Sequence, residues 1–287
     1  MTRFIHKILR RLARSRQQSR QTDIRRLTPE SIYLGNHTAL CRTIYGHKLL
    51  IDTRDRSLAP HLLLDGFWEK WITQVFITLV DSGYTVVDIG CNVGYYSLLA
   101  ADRVGKHGKV ICYEANREFA DLTFQSLELN GFLDRSEVRN KAVFSENTTI
   151  AFSVFETHKG SSSIWASDDL AENFHDHIDK VEVDAVTLDS EFPEGTRIDL
   201  LKIDAEGAEP HIIEGAHRII TENDRITLLM EFNPKMIESS YGPAIKFYKQ
   251  LKNMGFSIFR ITQDAQLSEV TEYNLSNISH CDIVAQR

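Results

Sequence analysis

From residue 84 onward, short apolar runs alternate with longer amphipathic ones. The apolar runs predict strands at 84–89, 109–114, 137–143, 199–204, 226–232, 256–262 and 280–286. The amphipathic stretches predict helices at 93–104, 116–130, 208–221 and 241–253. Such alternation implies a parallel sheet with helices on both faces. Residues 149–155 and 181–188 read as added strands around a loop at 156–180. Ahead of this region, 31–53 reads as short strands around Gly46, and 61–80 as a helix broken near Gly66. Residues 3–14 place Phe4, Ile5, Ile8, Leu9 and Leu12 on one helical face with basic residues around the rest. The expected organisation is a basic amphipathic arm at 1–26, an N-terminal cap at 27–80 and a catalytic domain at 81–287.

Charge sharpens this division. The 287 residues carry a net charge of −7. Residues 1–26 hold nine Arg or Lys against one acid, a net of +8, which leaves −15 on the remainder. An acidic body argues against nucleic acid as a partner, because phosphate binding needs clustered cations. No apolar run approaches the ~20 residues that span a bilayer. No apolar core follows the basic start, so no secretory signal is expected. Four scattered cysteines without a Cys-x-x-Cys pattern predict reduced thiols and a cytoplasmic protein. The basic arm predicts peripheral contact with an anionic membrane surface or docking on the acidic body.

Candidate chemistry begins at Tyr84-Thr-Val-Val-Asp-Ile-Gly-Cys-Asn-Val-Gly94. An apolar strand enters a turn with two glycines, and an amphipathic helix follows. A second strand, Lys109 to Glu114, ends in a carboxylate 24 positions after Gly90. That spacing is close to the ~20 between a glycine turn and the acid that grips a ribose diol. A dinucleotide turn needs further glycines two and five residues after the first, where this chain has Asn92 and Tyr95. An NAD-dependent oxidoreductase is therefore disfavoured. A phosphate-free adenosine cofactor, S-adenosyl-L-methionine, fits better.

A second strand-and-turn, Ile198-Asp-Leu-Leu-Lys-Ile-Asp-Ala-Glu-Gly-Ala-Glu209, adds to this. Asp88-Ile-Gly-Cys-Asn-Val-Gly94, Glu114-Ala-Asn116, Thr187-Leu-Asp189 and Lys202 to Glu209 together resemble the FkbM family of S-adenosylmethionine-dependent methyltransferases, over roughly residues 85–232. Two departures are Ala115, where that family usually has proline, and Cys91, where it usually has alanine. The resemblance implies a class I, Rossmann-like α/β fold: a seven-stranded, mostly parallel sheet with an antiparallel last strand. It implies O-methylation of a sugar hydroxyl in a glycan, or of another polar metabolite.

The strand ends gather the candidate residues on one sheet edge, where open α/β sheets bind ligands. Asp88, Gly90, Asn92, Gly94 and Tyr95 are expected at the cofactor's turn, Glu114 on its ribose, and Asn116 and Ala142 beside them. An alcohol acceptor needs a proton acceptor. Asp204 and Glu206 end the fourth strand, with Lys202 on the same face as Asp204. Glu231 and Asn233 end the fifth strand. Glu231 is expected to hydrogen-bond the acceptor; an all-oxygen magnesium site with Asp204 and Asn233 is the weaker reading, and no metal is expected. Tyr96 is expected near the cofactor or in the core. Trp165 is read as a sugar platform or a loop anchor, His175 and His177 as solvated, and His37 and His61 as cap residues without a role. A silent membrane-surface adaptor is the alternative outside catalysis.

Overall fold

The computed structural model describes residues 30–165 and 172–287. The basic arm expected at 1–26 lies outside the described residues, as does the 166–171 part of the expected loop.

The chain begins with an antiparallel meander of β1 (Ser31–Gly35), β2 (Thr38–Arg42) and β3 (Lys48–Asp52). Two helices follow, α1 (Ala59–Leu64) and α2 (Lys70–Leu79), separated by a break around Gly66 as the pattern predicts. Then come β4 (Thr85–Ile89), α3 (Tyr95–Val104), β5 (Lys109–Tyr113), α4 (Arg117–Leu129) and β6 (Ser136–Arg139). Next are β7 (Ala142–Val143), β8 (Thr148–Phe155), β9 (Ile178–Val186), α5 (Leu188–Glu191) and β10 (Leu200–Ile203). The remainder comprises α6 (Glu209–Gly215), α7 (His217–Glu222), β11 (Thr227–Phe232), α8 (Pro234–Ser240), α9 (Ala244–Asn253), β12 (Ser257–Ile261), β13 (Leu267–Glu269) and β14 (Cys281–Gln286).

The main sheet has the order β13-β12-β14-β11-β10-β4-β5-β6. Strands β6, β5, β4, β10 and β11 run parallel, and β14 is antiparallel to both β11 and β12. This is the expected seven-stranded Rossmann-like sheet with an antiparallel last strand, extended at one edge by β13. The strand order reverses at β4, which lies between β5 and β10, so a ligand crevice belongs at the C-terminal ends of these strands.

Alternation along the strands gives the sheet two apolar faces. Val86, Leu200, Leu229 and Val284 pack with Leu49, Ile72, Phe76 and Leu98, which brings β3 and α2 onto the same core as α3. Val87, Leu201, Leu228 and Ile283 pack with Ile212, Ile219 and Phe247 on the other face.

The strand expected at 137–143 is two strands in different sheets. β6 stays on the main sheet, while β7 pairs with β9 in a small sheet of order β7-β9-β8. Asn140 makes the break: its side-chain amide donates to the carbonyls of Glu114 and Ala115 at 2.9 and 3.0 Å, turning the chain out of the ladder. The helix expected at 208–221 is interrupted at Ala216, where Gly215 passes so close to the carbonyl of Phe144 that any side chain would overlap it. α8 was not expected; Pro234 in its first turn is a local start signal.

Candidate active site

The turn after β4 is built by close approach. Gly90 has φ +69°, and a Cβ there would overlap the carbonyl oxygen of Asp204 on the neighbouring strand end. A glycine is required on both grounds. The N–H groups of Gly90 and Cys91 both donate to the Tyr113 carbonyl, at 3.0 and 3.1 Å, tying the turn to the end of β5. Asn92 is left-handed at φ +51°, and its N–H donates to Glu114 Oε2 at 2.7 Å. The other oxygen of Glu114 accepts from the N–H of Asn116 at 2.8 Å. The Glu114 carboxylate thus clamps the turns after β4 and β5. Burial pushes its pKa up to about 7, against the pull of these two amides.

A cavity of about 340 Å³ opens above these turns. Gly90, Asn92, Tyr95, Glu114, Ala142, Lys202, Asp204, Glu206 and Glu231 all line it. The structure therefore brings together nine of the twelve residues picked from the sequence. The other three support it from behind. Asp88 is fully buried and accepts a hydrogen bond from Ser97 Oγ at 2.7 Å. Gly94 heads α3 at φ +86°, packed against Thr123. Asn116 caps α4 through Oδ1, which accepts from the N–H of Glu118 at 3.0 Å.

The polar end of the cavity follows from strand register. Lys202 lies abreast of Asp88 and Leu229. Its Nζ is 3.3 Å from Asp204 and 3.6 Å from Asp88, and 4.8 Å from the centre of the Tyr96 ring. Burial alone would lower the Lys202 pKa; the carboxylates of Asp204, Asp88 and Glu69 outweigh it, so the ammonium is held above its usual range. One residue beyond the Ile203–Met230 pair, Asp204 and Glu231 come level, and Glu231 pairs directly with Asp282 on β14. His280 Nε2 lies 2.8 Å from Glu231 Oε1, a contact that raises the histidine's pKa. Glu69, at the N-terminus of α2, faces this row and accepts from the Tyr96 hydroxyl at 3.3 Å. Burial and then the charge of Asp204 push the Glu69 pKa up to about 7. Burial and then Glu231 raise Glu206 well above the carboxylate range.

Glu69, Asp282 and His280 were not singled out in the sequence. Glu69 sits at the start of a helix whose apolar residues dominate the pattern, and Asp282 sits inside an apolar strand run. A charged residue at an inward position of such a run was the available signal. The segment Lys159–Ser162 and Ile164 covers the other end of the cavity. Lys159 is buried and pairs with Asp52 at 2.6 Å and with Glu118. Trp165 does not line the cavity; its ring centre is 5.8 Å from that of His211. His37, His61, His175 and His177 are exposed and also stand away from it. Among the described residues, no group of three or more His, Cys, Asp or Glu is placed to hold a metal ion.

A Rossmann-like sheet with a glycine turn, a carboxylate at the end of the next strand and a cavity at the switch point is the arrangement of a nucleoside-cofactor site. The family model described as the methyltransferase FkbM domain matches residues 88–258. The chain belongs to this family, and is an S-adenosylmethionine-dependent methyltransferase. Among solved structures, it is similar to methyltransferase FkbM from Methylobacillus flagellatus KT, with 16% identity and a TM-score of 0.43. That match covers 71% of this chain and 44% of the other, so this chain spans less than half the length of that relative. It is also similar to a SAM-dependent O-methyltransferase from Thermotoga maritima, with 15% identity, coverage of 86% and 77%, and a TM-score of 0.44. A third similar structure is an O-methyltransferase from Bacillus cereus in complex with SAH, with 15% identity, coverage of 76% and 80%, and a TM-score of 0.41.

Proposed function

We propose that the chain transfers a methyl group to a hydroxyl of a sugar, in a glycan or in a related polar metabolite. The observation that carries this reading is one cavity holding both the Gly90–Glu114 turn system and the Lys202–Asp204 pair. The lining suits the cofactor: Gly90 and Asn92 offer a side-chain-free approach and a polar edge, and Glu114 at the end of β5 is the carboxylate assigned to the ribose diol. Ala115, Ala142, Phe119 and Phe152 supply an apolar wall beside them, suited to a flat base.

S-Adenosylmethionine supplies an electrophilic methyl group on a positively charged sulfur. The chain's own residues position the acceptor and manage one proton. Asp204 is the base: its side chain is 40% exposed, at the mouth of the cavity, whereas Asp88 is sealed beneath. Lys202 fixes the orientation of Asp204 through their 3.3 Å contact. Asp204 would accept the proton that the acceptor hydroxyl gives up as the cofactor's methyl–sulfur bond gives way to the new carbon–oxygen bond, with neutral S-adenosylhomocysteine as the leaving group. The segment Lys159–Ile164 excludes water from the transfer.

The test is calorimetric titration with S-adenosylmethionine, followed by mass spectrometry of hydroxyl-bearing glycans incubated with enzyme and cofactor. Saturable binding and a one-methyl mass gain on a hydroxyl oxygen are expected. Methyl gain on nitrogen or carbon alone would overturn the oxygen assignment.

A further inference from the structure

We propose that the acceptor carries a protonated amine close to the hydroxyl it presents, and that Glu231, Asp282 and Glu69 hold this ammonium. The inference rests on the methyltransferase reading above and names the acceptor class for the same cavity, an amine-bearing sugar or polyol.

The first observation is a row of four carboxylates that Lys202 and His280 compensate only in part. Glu231 and Asp282 are directly opposite on antiparallel strands, so their side chains share a face. Like charges in that arrangement repel. Asp204 stands level with them on the next strand, and Glu69 faces them from α2. The cations within reach are already engaged. Lys202 is shared between Asp88 and Asp204. His280 serves one oxygen of Glu231. Lys141 and Lys159, which also line the cavity, are paired with Glu191 and with Asp52 and Glu118.

The second observation is independent of charge counting. Glu231 is 8% exposed, lines the cavity, and its Oε2 is buried with no hydrogen-bond partner. A buried carboxylate oxygen left unpaired is costly, and an ammonium donor in the cavity removes that cost. Trp68, next to Glu69 in the chain, also lines the cavity. The row is spread along adjacent strand ends rather than converged, and no metal-holding group occurs among the described residues. An organic ammonium, with three divergent N–H donors, suits that spread better than a small divalent ion.

The aminoglycoside neamine, two hydroxylated rings that bear four amines, and its fully N-acetylated form serve as probes, titrated into protein saturated with S-adenosylhomocysteine. Neamine is expected to bind at least tenfold more tightly than the acetylated form. Asp282→Asn and Glu231→Gln are each expected to weaken neamine at least fivefold while shifting S-adenosylmethionine affinity less than twofold. Circular dichroism identifies a variant that fails to fold, and the other then decides. Equal affinity for the two probes, absence of neamine binding, or saturable magnesium binding lost in Glu231→Gln would each overturn the inference. Failure of S-adenosylhomocysteine to bind refutes the methyltransferase reading itself; binding of it without amine preference refutes only the acceptor class.

Discussion

At the residue scale, two carboxylates at the cavity act on different partners. Glu114 already accepts two backbone amides, so its removal loosens the turn as well as the proposed ribose contact. Glu114→Ala is expected to weaken S-adenosylmethionine by about 1–3 kcal/mol, the scale of lost charge-assisted hydrogen bonds. Calorimetry reads this directly, and unchanged affinity in a folded variant would remove Glu114 from the cofactor site. Asp204 makes no such structural clamp through its side chain. Asp204→Asn is expected to lower kcat by about 10²–10⁴-fold, the range for general-base catalysis, with cofactor affinity nearly constant. Steady-state kinetics on an identified acceptor checks it; wild-type kcat would exclude Asp204 as the base.

At the element scale, legibility followed locality. The β4 turn, the α3 start and the end of β5 were readable because apolar runs and glycines lie next to the groups they position. Of the polar row, Asp204 and Glu231 were readable as strand ends, while Asp282 and Glu69 were not. Whether Asp282 meets Glu231 depends on how β14 registers on β11, across about fifty residues of intervening chain, and no local pattern encodes that register. The break at Asn140 was equally hidden, since its amide satisfies carbonyls on a different strand end. Glu69 was masked by the strong apolar pattern of α2, although its backbone is left-handed at φ +40°. The segment ahead of β4 supplies Glu69 and Trp68 to the cavity, so elements outside the sheet complete a site whose sequence signals all lie within it.

At the scale of the whole molecule, clustered carboxylates make stability depend on pH. Glu69 and Glu114 are held at about 7 and Glu209 at about 8, each first by burial, against an ordinary value of 4.5. A carboxyl group raised on folding favours the protonated native state. Its contribution is full below the unfolded value and is lost as pH rises through the folded one. His280, raised by Glu231, changes in the same direction. The cofactor-free protein is therefore expected to lose melting temperature between about pH 4.5 and pH 8. Calorimetric scans across that window test this, and a rising melting temperature would contradict the burial of these groups as ionisable carboxyls.

The pairing of Lys159 with Asp52 and Glu118 sets a limit on tempo. This side chain, on the segment covering the cavity, bolts that segment to β3 and α4 together, with its ammonium sealed from solvent. Lifting this segment would break the Lys159 pairs, so release of the spent cofactor is expected to be slower than in a variant that lacks them. Lys159→Met is expected to hasten S-adenosylhomocysteine dissociation in stopped-flow measurements. Dissociation no faster than that of the unaltered protein would show that the clock lies elsewhere.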